Sequence, residues 1–329
     1  MITDLFTRVW DTPGQMGESM LEQLRRRRVA PWSDVNAGEE AHREAMTPVH
    51  YAVVHGMVSR RLGAEMPVER VAGLVSRDPQ RLLGFAGIDP LDETTRPATA
   101  VERARQLGMS GVTVSPALQG FHPQHSRALA LYEACQAAAL PIVFEAGAAT
   151  SRDAAMEFAQ PVLLDAVARE FPDLRIVITG LGDPFVEQTL ALMAKHPTVF
   201  GELSVILTRP WRLYNALIEA HQLGVMNQLL FGSGFPLQRP DHAIVAIYSA
   251  SSTAQGTNLP GVPREQLRAV VERDTLGCLG IDTPRRRDLI DSKPALDAGE
   301  PAKPLPGPEA EDPAADKADS AAMLEEARR

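Results

Sequence analysis

Eight short apolar runs, each followed by a longer stretch with helical spacing, govern what this chain can fold into. The runs are Ile2–Phe6, Tyr51–His55, Leu82–Ile88, Gly111–Ser115, Pro141–Glu145, Arg175–Thr179, Val199–Ser204 and Gln228–Gly232. Most are apolar at successive positions instead of alternate ones, the pattern of strands that helices cover on both faces. The segments between them place apolar residues three and four apart, as in Ala98–Leu107, Ala128–Ala139, Pro161–Phe171 and Phe185–Ala194. Eight alternations in roughly 280 residues predict a (β/α)8 TIM barrel, with a doubly wound open sheet as the alternative. The stretch from Gly17 to Pro48 holds a helix and an insertion, and no internal repeat is visible.

The texture changes at about Thr283. From there the chain is Pro, Ala, Asp, Glu and Lys with almost no branched or aromatic apolar residues, too little to offset the entropy of ordering it. Residues 1–282 are therefore assigned to the barrel and 283–329 to a disordered tail, with a short helix around Ala321–Arg328. A net charge of −9 and only 5% aromatic residues leave no basic, aromatic-studded surface for nucleic acid. The one basic run, Arg25–Arg28, reads as a solvated helix face. No apolar run is long enough to cross a bilayer, and Met1–Thr12 lacks the basic-then-apolar order of a secretory leader, so a cytoplasmic location is expected. Cys135 and Cys278, far apart in helical segments, read as small core residues and support neither a disulfide framework nor a CxxC motif.

In such a barrel the chemistry gathers where strands end and the following loops converge on the C-terminal mouth. Those ends read Phe6-Thr7-Arg8, His55-Gly56, Asp89-Pro90, Ser115-Pro116, Glu145-Ala146-Gly147, Thr179-Gly180, Glu202-Leu203-Ser204 and Gly232-Ser233-Gly234. The phrases RLLGFAGIDP (81–90), GVTVSPALQGFHP (111–123), LPIVFEAG (140–147), FPDLRIVITGLGDP (171–184), LLFGSGFP (229–236) and VERDTLGCLGI (271–281) carry a further signal. Together they resemble the amidohydrolase-related proteins of the aminocarboxymuconate-semialdehyde decarboxylase type, over essentially all of residues 1–282. The resemblance implies a metal-dependent hydrolase barrel, often dimeric. Its active members use zinc or another divalent ion to hydrolyse or decarboxylate small carboxylated substrates, often aromatic or unsaturated.

The metal ligands that the resemblance implies do not carry over. The family's HxH pair at the end of the first strand falls on Phe6 and Arg8, within a DxHxH phrase that Asp4 still opens. Its histidine after the fifth strand falls on Glu145, the one after the sixth on Gly180, and the aspartate after the eighth on Gly234. Only Glu145 retains any ability to bind a divalent ion, whereas a catalytic zinc needs about three protein ligands and an open position. Arg8 carries a fixed positive charge that repels a cation. Because the first and fifth strands face each other across the mouth, a salt bridge between Arg8 and Glu145 is expected there.

The remaining chemistry is sparse. There is no HExxH, no G-x-S-x-G elbow, no cysteine at a strand end, and Gly180-Leu181-Gly182 fails as a dinucleotide loop because Phe185 stands where the third glycine belongs. No cofactor is therefore expected. His55, Ser115, His122 and His125 are candidates for the pocket, and Glu145 with Glu202 for acid/base work. Three readings follow. The first is a catalytically degenerate barrel acting in binding, assembly or regulation, paired with itself or with an active homologue. The second is a working enzyme for a small carboxylated substrate, either metal-free through Arg8, Glu145 and Glu202 or with an ion held by His55, His122, His125 and Glu145. The third is a small-molecule sensor whose acidic tail reports occupancy.

Overall fold

The computed structural model describes residues 1–27, 37–147, 151–283 and 288. All eight runs form strands of one parallel sheet. Its order is β1 (Thr3–Thr7), β2 (Tyr51–His55), β5 (Leu82–Gly87), β6 (Gly111–Val114), β7 (Ile142–Phe144), β8 (Ile176–Ile178), β9 (Val199–Glu202) and β10 (Leu229–Leu230). Between β2 and β5 the chain inserts a small antiparallel hairpin, β3 (Met57–Ser59) with β4 (Ala64–Met66). The sheet curls until its two edges meet. Leu5 N–H donates to the Phe231 carbonyl at 3.0 Å, Gly234 N–H to Phe6 at 2.9 Å and Arg8 N–H to Phe235 at 2.9 Å. An open doubly wound sheet would leave those groups as an unpaired edge, so the alternative is excluded.

The helices form the outer layer. They are α1 (Glu18–Arg27), α2 (Glu39–Ala45), α3 (Val68–Val75), α4 (Pro97–Gln106), α5 (Pro116–Gln119), α6 (Ser126–Ala137), α7 (Leu164–Glu170), α8 (Val186–Lys195), α9 (Pro210–Gln222), α10 (Pro240–Tyr248), α11 (Arg264–Glu272) and α12 (Thr275–Cys278). Strand residues are buried almost without exception, because the barrel interior takes one set of side chains and the helices the other. Pro161–Phe171, expected as one helix, is a 3-10 turn over Pro161–Leu163 followed by α7. Proline is suited to a first turn, where its missing N–H leaves no gap in the hydrogen bonding. Cys135 is fully buried as expected, but Cys278, at the end of the last short helix, is only half-buried.

One irregularity matters for the site. Against β2, Asp4 pairs with Ala52 but Thr7 with Val54, so β1 carries one extra residue between them. The bulge leaves Asp4, Phe6 and Arg8 toward the barrel interior while Thr7 reaches out to α2, its hydroxyl 3.0 Å from His42 Nε2.

The chain divides into a unit of Met1–Asp288 and a unit of Leu289–Arg329. The second unit, with the expected tail helix, lies outside the described residues, as do the side chains of the basic run. Thr283, the first residue of the expected tail, is tied to the barrel through the Tyr51 hydroxyl at 2.8 Å. Among the described residues no helix is long and apolar enough to cross a membrane.

Two glycines fix how closely β2 and β5 approach at their ends. A β-carbon on Gly87 would sit 2.5 Å from Gly56 C and Met57 N, and one on Gly56 would sit 2.6 Å from Gly87 N. Backbone cannot give way as a side-chain tip can, so Gly87→Ala is expected to destabilise by about 1–3 kcal/mol. Gly73→Ala, in the open on α3, should instead be neutral or stabilising by about 0.5–1 kcal/mol. Urea unfolding of the two variants beside the parent checks both signs.

Candidate functional site

The mouth is organised by two residues from opposite sides of the barrel, four strands apart. Arg8, one residue past β1, donates Nη1 to Glu145 Oε1 at 2.8 Å and Nη2 to Oε2 at 2.6 Å. Glu145, one residue past β7, is therefore engaged at both oxygens. Both side chains are nearly sealed from solvent, at 8% and 9% exposure. The parallel fork geometry supplies two charge-assisted bonds, which offset part of the cost of desolvating two charges. Phe6 and Trp10 flank the guanidinium, with Cζ 5.2 and 5.8 Å from their ring centres. Arg8 Nε is buried and has no hydrogen-bond partner among the described residues.

Glu145 is placed by its own backbone. Its N–H donates to the Val114 carbonyl at 2.8 Å, and its carbonyl accepts the Ser115 hydroxyl at 3.1 Å. Ser115, a pocket candidate from its strand end, thus secures the chain that carries Glu145. Its own N–H is held by Gln119 Oε1 at 2.8 Å.

A second acidic group lies in the interior beside β9. Glu202 accepts Ser204 N–H at 2.7 Å, the Ser204 hydroxyl at 2.8 Å and Gly180 N–H at 3.2 Å. The Asp4 carboxylate adds a smaller repulsion to it, while Glu145, the other residue expected to do acid/base work, is engaged by Arg8. Asp4 accepts Ser233 N–H at 2.8 Å through Oδ1, while Oδ2 is buried without a hydrogen-bond partner among the described residues. Complete burial pushes the Glu202 carboxyl up to about 8 and the Asp4 carboxyl up to about 7, against the donors that favour their ionised forms. Asp4 was not assigned a role from sequence, although a carboxylate inside an apolar strand is the signal that marks it.

Gly180 and Gly234, on which the resemblance places two of the family's ligands, open into no space. Gly180 has φ +54°, and a β-carbon there would lie 2.7 Å from Val205 Cβ; at Gly234, with φ +70°, one would lie 2.8 Å from Ser204 Cβ. Phe6 packs on the His55 ring, with centroids 4.8 Å apart. His55 is fully buried with both nitrogens engaged: Nε2 donates to the Leu5 carbonyl at 2.7 Å, and Nδ1 lies 2.7 Å from the Thr113 hydroxyl. Burial holds this ring neutral by pushing its pKa down to about 3. His122 Nδ1 accepts Gln124 N–H at 3.0 Å, and His125 Nδ1 accepts Arg127 N–H at 3.3 Å, capping α6.

The alternative ion site of His55, His122, His125 and Glu145 is therefore not assembled. Among the described residues no group of three or more His, Cys, Asp or Glu side chains is placed to hold a metal ion. The metal of the resembled family does not fit the residues present here.

Part of the stretch from Gly17 to Pro48 meets the loop after β7. Ser19 on α1 lies with its hydroxyl 2.7 Å from that of Ser151 in this loop, and Arg152 reaches Glu22 at 3.4 Å. The segment that leaves β1 thus contacts the loop after β7, the strand whose end carries Glu145.

Comparison with known proteins places the barrel in context. Residues 51–272 match the model of the amidohydrolase family, Amidohydro_2. No curated protein matches the sequence. Among solved structures, an uncharacterised TIM-barrel protein of Bordetella bronchiseptica is similar with a TM-score of 0.65 at 17% identity, covering 85% of this chain and 99% of that one. The 5-carboxyvanillate decarboxylase of Sphingomonas paucimobilis is similar with a TM-score of 0.57 at 16% identity, covering 85% and 99%. A dihydroxybenzoic acid decarboxylase of a Polaromonas species, solved with bound manganese and 2-nitroresorcinol, has a TM-score of 0.58 at 13% identity, covering 87% and 98%. At these identities the likeness is one of fold.

Glu145→Gln leaves the buried guanidinium without its counter-charge and is expected to cost about 3–5 kcal/mol of unfolding free energy. The double variant Arg8→Met, Glu145→Met should recover most of that loss, which urea titration of the three proteins would measure. For Asp4 and Glu202 the folded pKa values lie above the ordinary carboxyl range. Their contribution is thus complete below about pH 4 and is lost as pH rises through about 7 and 8. Unfolding free energy should fall between pH 5.5 and 8.5, and Glu202→Gln should flatten that slope.

Proposed function

Because the chain belongs to the amidohydrolase family, by its match over residues 51–272, we propose that it is a member whose mouth is built on an ion pair in place of a metal, and that it binds instead of hydrolysing. The observation that carries this reading is the fork between Arg8 and Glu145. The one side chain at a former ligand position that could hold a cation gives both oxygens to a guanidinium. Phe6, Gly180 and Gly234 offer no donor atoms, and Val205 and Ser204 fill the space beside the two glycines. A catalytic zinc needs about three protein ligands at roughly 2 Å. Water that is not metal-bound keeps a pKa of about 15.7 and is a poor nucleophile at neutral pH.

On this reading the protein is a catalytically degenerate relative with a binding, assembly or regulatory role, whose partner is a second copy or an intact homologue. A small carboxylated ligand is the second reading, and one observation favours it. Arg8 Nε–H is a buried donor with no acceptor among the described residues, set between two aromatic rings, and an unmet donor at such a place favours an anion that can reach it.

The test is elemental analysis of protein purified without chelator and without a nickel column. Zinc, manganese, iron and cobalt are expected at well under one equivalent, with no change in thermal midpoint on adding zinc. A stoichiometric ion, or turnover that a chelator abolishes, overturns the proposal.

A further inference from the structure

Away from the mouth, a cavity of about 200 Å³ opens on the outer face of the barrel between α2 and α3. Its floor is apolar, formed by Val54 of β2, Leu74 of α3, Met46 just past α2, and Leu82 at the start of β5. An apolar cavity of about 150 Å³ is enough to take benzene, so this one has room for a single ring bearing substituents.

The polar groups around it are not equivalent. His42 is 3% exposed and lines the cavity. Its Nε2 lies 3.0 Å from the Thr7 hydroxyl, which already donates to the Val53 carbonyl at 2.8 Å, so Nε2–H is the donor and Nδ1 carries the lone pair. Nδ1 has no partner among the described residues. Burial keeps the ring neutral, its pKa pushed down to about 4.

Of the three arginines at the rim, two are committed. Arg77 pairs with Glu39, and Arg81 donates Nη2 to the Met46 and Val49 carbonyls at 2.8 and 2.9 Å. Arg43 has only a long 3.7 Å contact to Glu40 and is 73% exposed, which leaves its guanidinium available.

We propose that this cavity is a binding site for a single-ring hydroxy acid. The ring lies on the apolar floor, the hydroxyl donates to His42 Nδ1, and the carboxylate meets Arg43 at the opening. The site does not depend on the reading of the mouth, since none of its residues touches Arg8 or Glu145 through a side chain. It does connect to them. Thr7, which accepts from His42, ends β1 just before Arg8, and the His42 ring stands edge-on to Phe235, whose carbonyl accepts Arg8 N–H.

The experiment is an NMR titration of the full-length, isotope-labelled protein with 4-hydroxybenzoate, benzoate and phenol. 4-Hydroxybenzoate is expected to shift resonances of His42, Val54 and Leu74. Benzoate, which lacks the donor, should bind about five- to tenfold more weakly, the worth of one hydrogen bond. Arg43→Glu alters an exposed side chain and should weaken 4-hydroxybenzoate by a similar factor while leaving phenol unchanged. The proposal is overturned if none of the probes shifts these residues, if the shifts centre on Arg8 and Trp10, if the three probes bind equally, or if Arg43→Glu weakens all three alike.

Discussion

The bidentate bond between Arg8 and Glu145 is the constraint on which the rest of the mouth depends. It joins the ends of two strands that face each other across the barrel, and it does so out of water, where an unpaired charge would be severely costly. Everything near it is arranged to keep that pair whole: Phe6 and Trp10 cover the guanidinium, and Ser115 anchors the backbone that carries the carboxylate. A cation placed between them would have to displace a guanidinium already held at hydrogen-bond distance. The other positions on which the resemblance places ligands are a phenylalanine ring and two glycines enclosed by their neighbours.

A second store of charge lies within the same barrel. Asp4 and Glu202 lie too far from water to ionise freely at neutral pH, and Asp4 adds a smaller repulsion at Glu202. One barrel interior thus holds an ion pair at its rim and proton-bearing carboxyls beside its later strands. The difference between them is whether a cation is present: Glu145 has Arg8, whereas Glu202 has only N–H and O–H donors.

Much of this was legible in the sequence because parallel strands covered on both faces must be apolar at successive positions. The eight runs locate the eight barrel strands to within a few residues at each end. The facing of Arg8 and Glu145 follows from strand order alone. The β3–β4 hairpin was not legible, since three-residue strands show no period. His122 and His125 were not settled by the sequence, because a loop histidine reads the same whether it points to a mouth or caps a helix, as His125 does. The influence of Asp4 on Glu202 was not legible, because strand ends give neighbours around a ring but not depth within it. The cavity beside His42 depends on the gap between two helices, which no single segment encodes.

The contact between Ser19 and Ser151 joins the segment that follows β1 to the loop that follows β7. These are the two strands whose ends Arg8 and Glu145 tie together, so opposite walls of the barrel are fastened at two points, one by charge and one by a pair of hydroxyls.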